Sequence, residues 1–267
     1  MIPIKYDAFI VAGGKAPWLQ AEYGTQCRAL VQLEGKRMVD YVLEALLDSG
    51  RIERVVIAVD AEFLPELEGT LPPNVSLCAA GTDLSSSTAL ATKELGLTNN
   101  KILGVCDDIP FITAEAVAHF LDQCQLYPDA ELYYPIIPKE DCLSSFPNAK
   151  RTYATLADGT FTGGNMMLMS KELINKAQEL AKEIFVRRKS PLKLCSWLGW
   201  SFILKLLLHI LTIKGLEKRL SQLFHTRCKA IITPYAAIGM DMDKPADLAL
   251  AQKLLRKEHA YGQSQKN

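Results

Sequence analysis

The stretch YDAFIVAGGK, residues 6–15, decides how the rest of the chain is read. A short apolar run leads straight into two glycines, the pattern of a strand buried on both faces that ends in a tight loop. Glycines at such a strand end let backbone N–H groups approach a phosphate without interference from a Cβ. They serve a plain turn equally well.

Moving outward, residues 54–59 (RVVIAV), 75–79 (VSLCA) and 102–106 (ILGVC) also read as buried strands. Between them, residues 37–49 place Met38, Val42, Leu43, Leu46 and Leu47 on one helical face and stop at Gly50, a suitable C-cap. Residues 86–95 and 114–124 read as helices too, the second with Thr113 as N-cap. This alternation predicts a mostly parallel sheet covered on both faces, where ligands gather beyond the carboxyl ends of the strands.

Beyond residue 125 the pattern changes. Residues 131–137 and 152–157 read as strands joined by a polar connection, with Asp158-Gly159 as a tight turn, so the sheet is expected to be mixed. A helix is expected from Ser170 to about Lys189, broken at Ser190-Pro191. Strands follow at 229–233 and 236–240, then a closing helix at 246–257 and a polar tail at 259–267. The 267 residues are read as one domain, 1–258, carrying an insertion at 185–228.

That insertion holds LCSWLGWSFILKLLLHILTI, residues 194–213, in which Ser201, Lys205 and His209 would form a polar stripe on a single helix. From Arg187 to Arg219 there are eight Lys or Arg residues against one acid, Glu217. Two readings stand side by side. The segment packs on the core or on a second subunit as a homodimer contact, or residues 187–219 lie on the inner membrane face with basic groups toward anionic head groups. A spanning helix is disfavoured, because Lys205 and His209 would sit near its centre.

Over the whole chain the charges balance, 30 Lys plus Arg against 30 Asp plus Glu, so the remainder is correspondingly acidic and the sum gives no reason to expect a nucleic-acid partner. The seven cysteines are scattered without a C-x-x-C pair, which fits free thiols in a reducing cytoplasm and not a zinc site. The short N-terminal apolar run contains Asp7 and lacks a cleavage site, so no signal peptide is expected.

Three strand ends carry candidate chemistry. Gly13 and Gly14 follow the first strand. CDDIPFIT, residues 106–113, sets Asp107 and Asp108 at the sheet's carboxyl edge with Pro110 fixing the chain beyond them. GMDMDKPADL, residues 239–248, supplies Asp241 and Asp243, which alternation in an extended chain sends to one side, while Asp247 suits the first turn of the next helix. Mg²⁺ needs oxygen ligands and commonly takes one or two carboxylates plus substrate phosphates. Each motif alone also fits a turn or a cap; together they describe a nucleotide and metal site.

These residues resemble the MobA-like nucleotidyltransferases. The likeness runs through IVAGGK, RALVQLEGKRMVDYVLEAL, DDIPFIT, FTGGNMMLMS and GMDMDKPADLALA, leaving out roughly residues 185–228. It implies an α/β fold, a three-layer α/β/α sandwich with a mostly parallel mixed sheet of the GT-A, nucleotide-diphospho-sugar transferase type, plus the helical insertion. It also implies a nucleotide site at Ala12, Gly13, Gly14, Lys15, Arg28 and Asp107, and a Mg²⁺ site at Asp108 with Asp241 or Asp243. Gly163, Gly164 and Asn165 fall beside the acceptor; apart from the resemblance, Gly163-Gly164 reads as a bulge or turn and Asn165 as a backbone cap.

The implied reaction is transfer of an NMP group from an NTP to a phosphate-bearing acceptor, with Lys15, Arg28 and Asp108 as the catalytic groups. Lys15 is the only early base, and Arg28 stands where the group usually has Lys, an exchange that keeps charge but alters hydrogen-bond geometry. A nucleotide-binding regulator without turnover, and a glycosyltransferase centred on Asp241-Met242-Asp243, are the alternatives.

Overall fold

The computed structural model describes residues 4–96, 100–174, 176 and 199–264. Nine strands form one mixed sheet: β1 (Tyr6–Ala12), β2 (Ile52–Val59), β3 (Val75–Ala79), β4 (Lys101–Cys106), β5 (Leu132–Pro138), β6 (Ala154–Leu156), β7 (Gly159–Gly163), β8 (Met166–Ser170) and β9 (Cys228–Ile232). Their order is β3-β2-β1-β4-β8-β5-β7-β6, with β9 paired to β5. The first four strands in that order run parallel, while β8 opposes β4. The expected mostly parallel, mixed sheet is present.

Period-two alternation accounts for the layers. Ala8, Ile10 and Ala12 of β1 and Val55, Ile57 and Val59 of β2 point into one core with α1 (Met38–Asp48) and α3 (Ala114–Gln125). Phe9, Val56 and Ala58 point the other way, against Ala91 and Leu95 of α2 (Leu84–Leu95). A strand buried on both faces has no polar side to show, so β1 reads as a continuous apolar run broken only by Asp7, which pairs with Arg54 at 2.7 Å. Two of these helix starts, those of α2 and α3, are capped by side chains. Thr113 accepts from Ala116 N at 3.2 Å, and Asp83 with Ser86 forms a capping box on α2. Gly50 at φ +65° closes α1, as its sequence position suggested.

β7 and β8 are two halves of one bulged strand. Gly163 faces Ile136 of β5, but Leu168 faces Tyr133, so five steps on one strand match three on the other. The two extra residues fall at Gly164-Asn165, and the bulge read from the sequence is there. Neither glycine has room for a side chain: a Cβ at Gly163 would lie 2.4 Å from the Tyr134 hydroxyl, and one at Gly164 2.6 Å from Ile238 Cγ2.

Several expectations need correction. Residues 236–240 are no strand; Ala236–Gly239 is a 3₁₀ turn. Its small residues bring little β-propensity, and Gly239 packs so closely that a Cβ would come within 3.3 Å of the Gly163 carbonyl. The closing helix, α7 (Pro245–Ser264), runs into the expected polar tail. Residues 194–213 do not form one helix, since α5 (Trp200–Leu207) stops before His209, whose φ of +57° is left-handed, and α6 (Ile213–Phe224) starts anew with Thr212 as its cap. The stripe of Ser201, Lys205 and His209 is therefore cut short. The expected helix at 170–189 shows its first turn at 171–174; most of it, and residues 185–198 of the insertion, lie outside the described residues. Among the described residues no helix is long and apolar enough to cross a membrane.

Candidate active site

The carboxyl edge of the sheet gathers most of the expected residues. β1 delivers Ala12, Gly13 and Gly14, and β4 delivers Asp107 and Asp108, both buried. Gly14 has φ +110° with open space around it, as a phosphate-facing loop needs. Gly13 is packed instead: a Cβ there would stand 2.8 Å from Ala80 Cβ and 3.3 Å from Asp60 Oδ1.

Residues 15–28 leave β1 and come back to it. Lys15 bridges to Cys27, the Ala16 amide donates to the Gln26 carbonyl at 2.8 Å, and the buried Cys27 thiol donates to the Ala12 carbonyl at 3.8 Å. Arg28 then opens a 3₁₀ turn between buried Cys27 and buried Ala29, which fixes its direction. Its guanidinium reaches Asp108 Oδ2 at 3.1 Å and also donates to Asp243.

The second acidic segment is held in place by its neighbours. Met242 N donates to the Asp108 carbonyl at 2.9 Å, and Met240 and Met242 are buried with Leu19, Met38 and Leu248 in a small separate core. With those two side chains inward, Asp241 and Asp243 are left on the site side, so the alternation argument holds although the segment is not a strand. The bulge contributes as well. Asn165 N donates to the Ile238 carbonyl at 2.9 Å, its amide Nδ2 lies 3.4 Å from Asp241 Oδ1, and its carbonyl accepts from Cys106 N at 2.9 Å.

Arg151 is the residue the sequence reading missed. It comes from the connection between β5 and β6, which begins with the short helix α4 (Lys139–Ser145), and binds Asp241 through a partly buried ion pair. A basic residue in a polar loop carries no local signal of burial; only the tertiary fold brings it to Asp241. Lys15 goes the other way. It pairs with Glu62 at 2.7 Å with both side chains about half exposed, so in this structure the acidic cluster is neutralised by Arg28 and Arg151 and not by Lys15.

The electrostatics follow from this crowding. Burial raises the Asp107 pKa, and the neighbouring Asp108 charge raises it further against the pull of Arg28. Burial also raises Asp108, with Arg28 opposing and Asp241 and Asp243 adding to the rise. For Asp241, burial is outweighed by the hydrogen bond and charge of Arg151, which hold it below the ordinary carboxylate range. Asp108 Oδ1 is buried without a hydrogen-bond partner, and so is Arg151 Nε. Such orphaned atoms cost stability unless a ligand completes them. Among the described residues no three His, Cys, Asp or Glu side chains already stand as a closed metal cluster.

Comparison with known proteins agrees with this architecture. The family model of the MobA-like NTP transferase domain matches residues 8–193. A structure from Thermus thermophilus described as a hypothetical transferase is 36% identical, with a TM-score of 0.76 over 92% of this chain and 100% of that one. CMP:2-keto-3-deoxy-manno-octonic acid synthetase complexed with CTP is 14% identical, with a TM-score of 0.63 over 95% of this chain and 99% of that one. The 2-C-methyl-D-erythritol 4-phosphate cytidylyltransferase of Thermus thermophilus is 17% identical, with a TM-score of 0.52 over 95% of this chain and 100% of that one. These last two likenesses concern the fold alone. No curated protein matches the sequence. With a family model spanning the glycine loop, the paired aspartates and the bulged strand, the chain belongs to the MobA-like NTP transferase family and is a nucleotidyltransferase.

Proposed function

We propose that this protein transfers an NMP group from an NTP to a phosphate-bearing small molecule, with Mg²⁺ required and pyrophosphate released. The observation that carries the reading is the meeting of Asp108, Asp241 and Asp243 with Arg28 and Arg151 at the carboxyl edge, where Asp108 Oδ1 lacks a partner. The donor set fits Mg²⁺, which takes hard oxygen ligands and completes its shell with phosphates and water. Asp108 with Asp241 or Asp243 would hold it, and it would supply neutralisation of phosphate charge.

The rest falls to the chain's own groups. The Gly13-Gly14 loop receives the nucleotide against backbone N–H groups, and Asp107 closes the floor beneath it. An acceptor phosphate beside Asn165 attacks the α-phosphorus; the new oxygen–phosphorus bond forms as the α–β bridging bond breaks and pyrophosphate leaves. No general base is needed when the acceptor arrives as a dianion. Arg28 stabilises the leaving group, aided by Lys15, whose exposed and solvent-screened pair with Glu62 exchanges readily for a phosphate. Positioning and charge neutralisation are what this chemistry requires.

The test is pyrophosphate release from each NTP with Mg²⁺ and a panel of sugar, polyol and alditol phosphates. Release that persists unchanged in Asp108→Ala sinks the assignment. Thermal stabilisation by an NTP with no pyrophosphate for any acceptor favours a regulator without turnover.

A further inference from the structure

The helix α5 is apolar on two sides, and only one of them is covered. Phe202 and Leu206, four residues apart, pack with Leu211, Ile213 and Leu216 on Ile136, Leu156 and Phe161 of the sheet. On the other side Trp200, Leu204 and Leu207 recur at i, i+4 and i+7, the spacing of one helical face, and Leu208 and Ile210 extend it. All five are more than half exposed. A helix apolar all round is normally buried, and a patch of this kind marks a surface that something covers.

The charges around it say what. Lys205, His209, Lys214 and Lys218 are exposed, and the single acid in residues 199–220, Glu217, is turned onto Lys229 Nζ at 2.9 Å and the Ala230 amide at 3.0 Å. The segment therefore presents exposed apolar side chains together with three exposed lysines, Lys205, Lys214 and Lys218, and carries Trp200 at the helix start, where an interface-seeking ring belongs. A symmetric dimer through the same patch would bring its lysines toward one another. At eight residues α5 is about 12 Å long, far short of a bilayer's hydrocarbon core.

We propose that this surface docks on an anionic lipid bilayer, with α5 lying in the interface and the five apolar side chains directed at the acyl chains. The element is held firmly enough to act as a fixed foot. Ala157 N donates to the Leu211 carbonyl at 2.9 Å, and Ile213 N donates to Asp158 Oδ2 at 2.6 Å. β7 carries Phe161 beneath the foot and Gly163 beside the catalytic bulge, so docking sets the orientation of the carboxyl edge relative to the membrane. The inference stands independently of the reaction proposed above.

Co-sedimentation of the full chain with vesicles of phosphatidylcholine, with and without phosphatidylglycerol, at low and high salt tests it. The protein is expected to pellet with the anionic vesicles at low salt and to be released by high salt. Lys214→Gln and Lys218→Gln each weaken binding roughly fivefold. Leu204→Gln and Leu207→Gln each weaken it roughly tenfold. Because both leucines are exposed, the thermal midpoint and circular dichroism of these variants stay as in the parent. Absence of pelleting with anionic vesicles at low salt overturns the proposal, as does pelleting that the leucine variants leave unchanged. So does a dimer, seen by light scattering, that the leucine variants dissociate while vesicles bind neither form.

Discussion

Replacing Arg28 with methionine isolates the charge balance of the site. Arg28 donates to Asp243 and forms an ion pair with Asp108 at 3.1 Å, and Asp108 is buried among further carboxylates. Removing one partner of a fully buried pair costs roughly 3–5 kcal/mol, whereas an exposed pair is worth about 1 kcal/mol or less. The Arg28 side chain is 26% exposed, and Asp108 escapes an unpaired charge by taking up a proton, so the loss falls between these limits. About 2 kcal/mol at pH 8 is expected, which lowers the Tm of a chain of this size by roughly 4–8 °C.

The pH dependence identifies the cause. Burial raises the Asp108 pKa and Arg28 opposes it, so without Arg28 the folded-state value rises further while the unfolded value stays put. A group with a raised folded pKa contributes stability that is present below its unfolded pKa and lost as pH climbs through the folded one. The deficit of Arg28→Met is therefore larger at pH 8 and closes as pH falls below the parent's raised folded-state value, where Asp108 is protonated in both proteins. Thermal unfolding of both proteins at pH 8, 6 and 4.5, followed by circular dichroism, measures it. A deficit that is constant with pH, or that grows toward acid, refutes the reasoning. Arg28→Lys keeps the charge without the planar fork and should recover only part of the loss.

Three further outcomes follow from the same geometry. Asp108→Asn lowers pyrophosphate release at least about a hundredfold yet raises the Tm at pH 8, because it removes a charge that burial disfavours; loss of both activity and stability would argue for a purely structural role. Gly13→Ala costs roughly 1–3 kcal/mol through contact with Ala80, and Ala80→Gly in the same chain restores most of it, as denaturant unfolding would show. Lys15→Ala leaves the thermal midpoint unchanged, its ion pair being exposed, but lowers kcat/KM for the NTP; an unchanged kcat/KM removes Lys15 from the mechanism.

What the sequence revealed tracks how local each determinant is. β1, β2 and β4 were legible because strands buried on both faces have no choice but to be short apolar runs, whereas β3, read as buried, is an edge strand with every residue at least partly exposed. Asp107, Asp108, Asp241 and Asp243 were legible because strand ends and turns confine them to one edge. Arg151 was not, since its burial depends on a loop finding Asp241 about 90 residues away, which no local pattern encodes. The error at 236–240 has a related origin: the run is apolar but its small residues have little β-propensity, and contacts with Asn165 and Gly163 across the bulge set it as a turn. β8 escaped notice for a related reason, because MMLMS lacks β-branched residues and becomes a strand by filling the space between β4 and β5.

The acidic edge is built to exchange partners. Four carboxylates, Asp107, Asp108, Asp241 and Asp243, face two guanidiniums, and one buried oxygen is left without a donor. An NTP alone would add negative charge to an already negative site, and a divalent cation alone would find few ligands free of arginine. On the proposed reaction the two arriving together would cancel one another's cost, the cation meeting the carboxylates and the phosphates meeting Arg28 in place of Asp243. Affinity for NTP and for Mg²⁺ must then be coupled, each raising the other by the same factor. Tm shifts across an NTP titration with and without Mg²⁺ measure this. At a saturating Mg²⁺ concentration the apparent NTP affinity should rise about tenfold or more, within the usual range of coupling energies. An NTP affinity indifferent to Mg²⁺ would mean that the arginines hold the nucleotide by themselves and that Asp108, Asp241 and Asp243 serve only to position them.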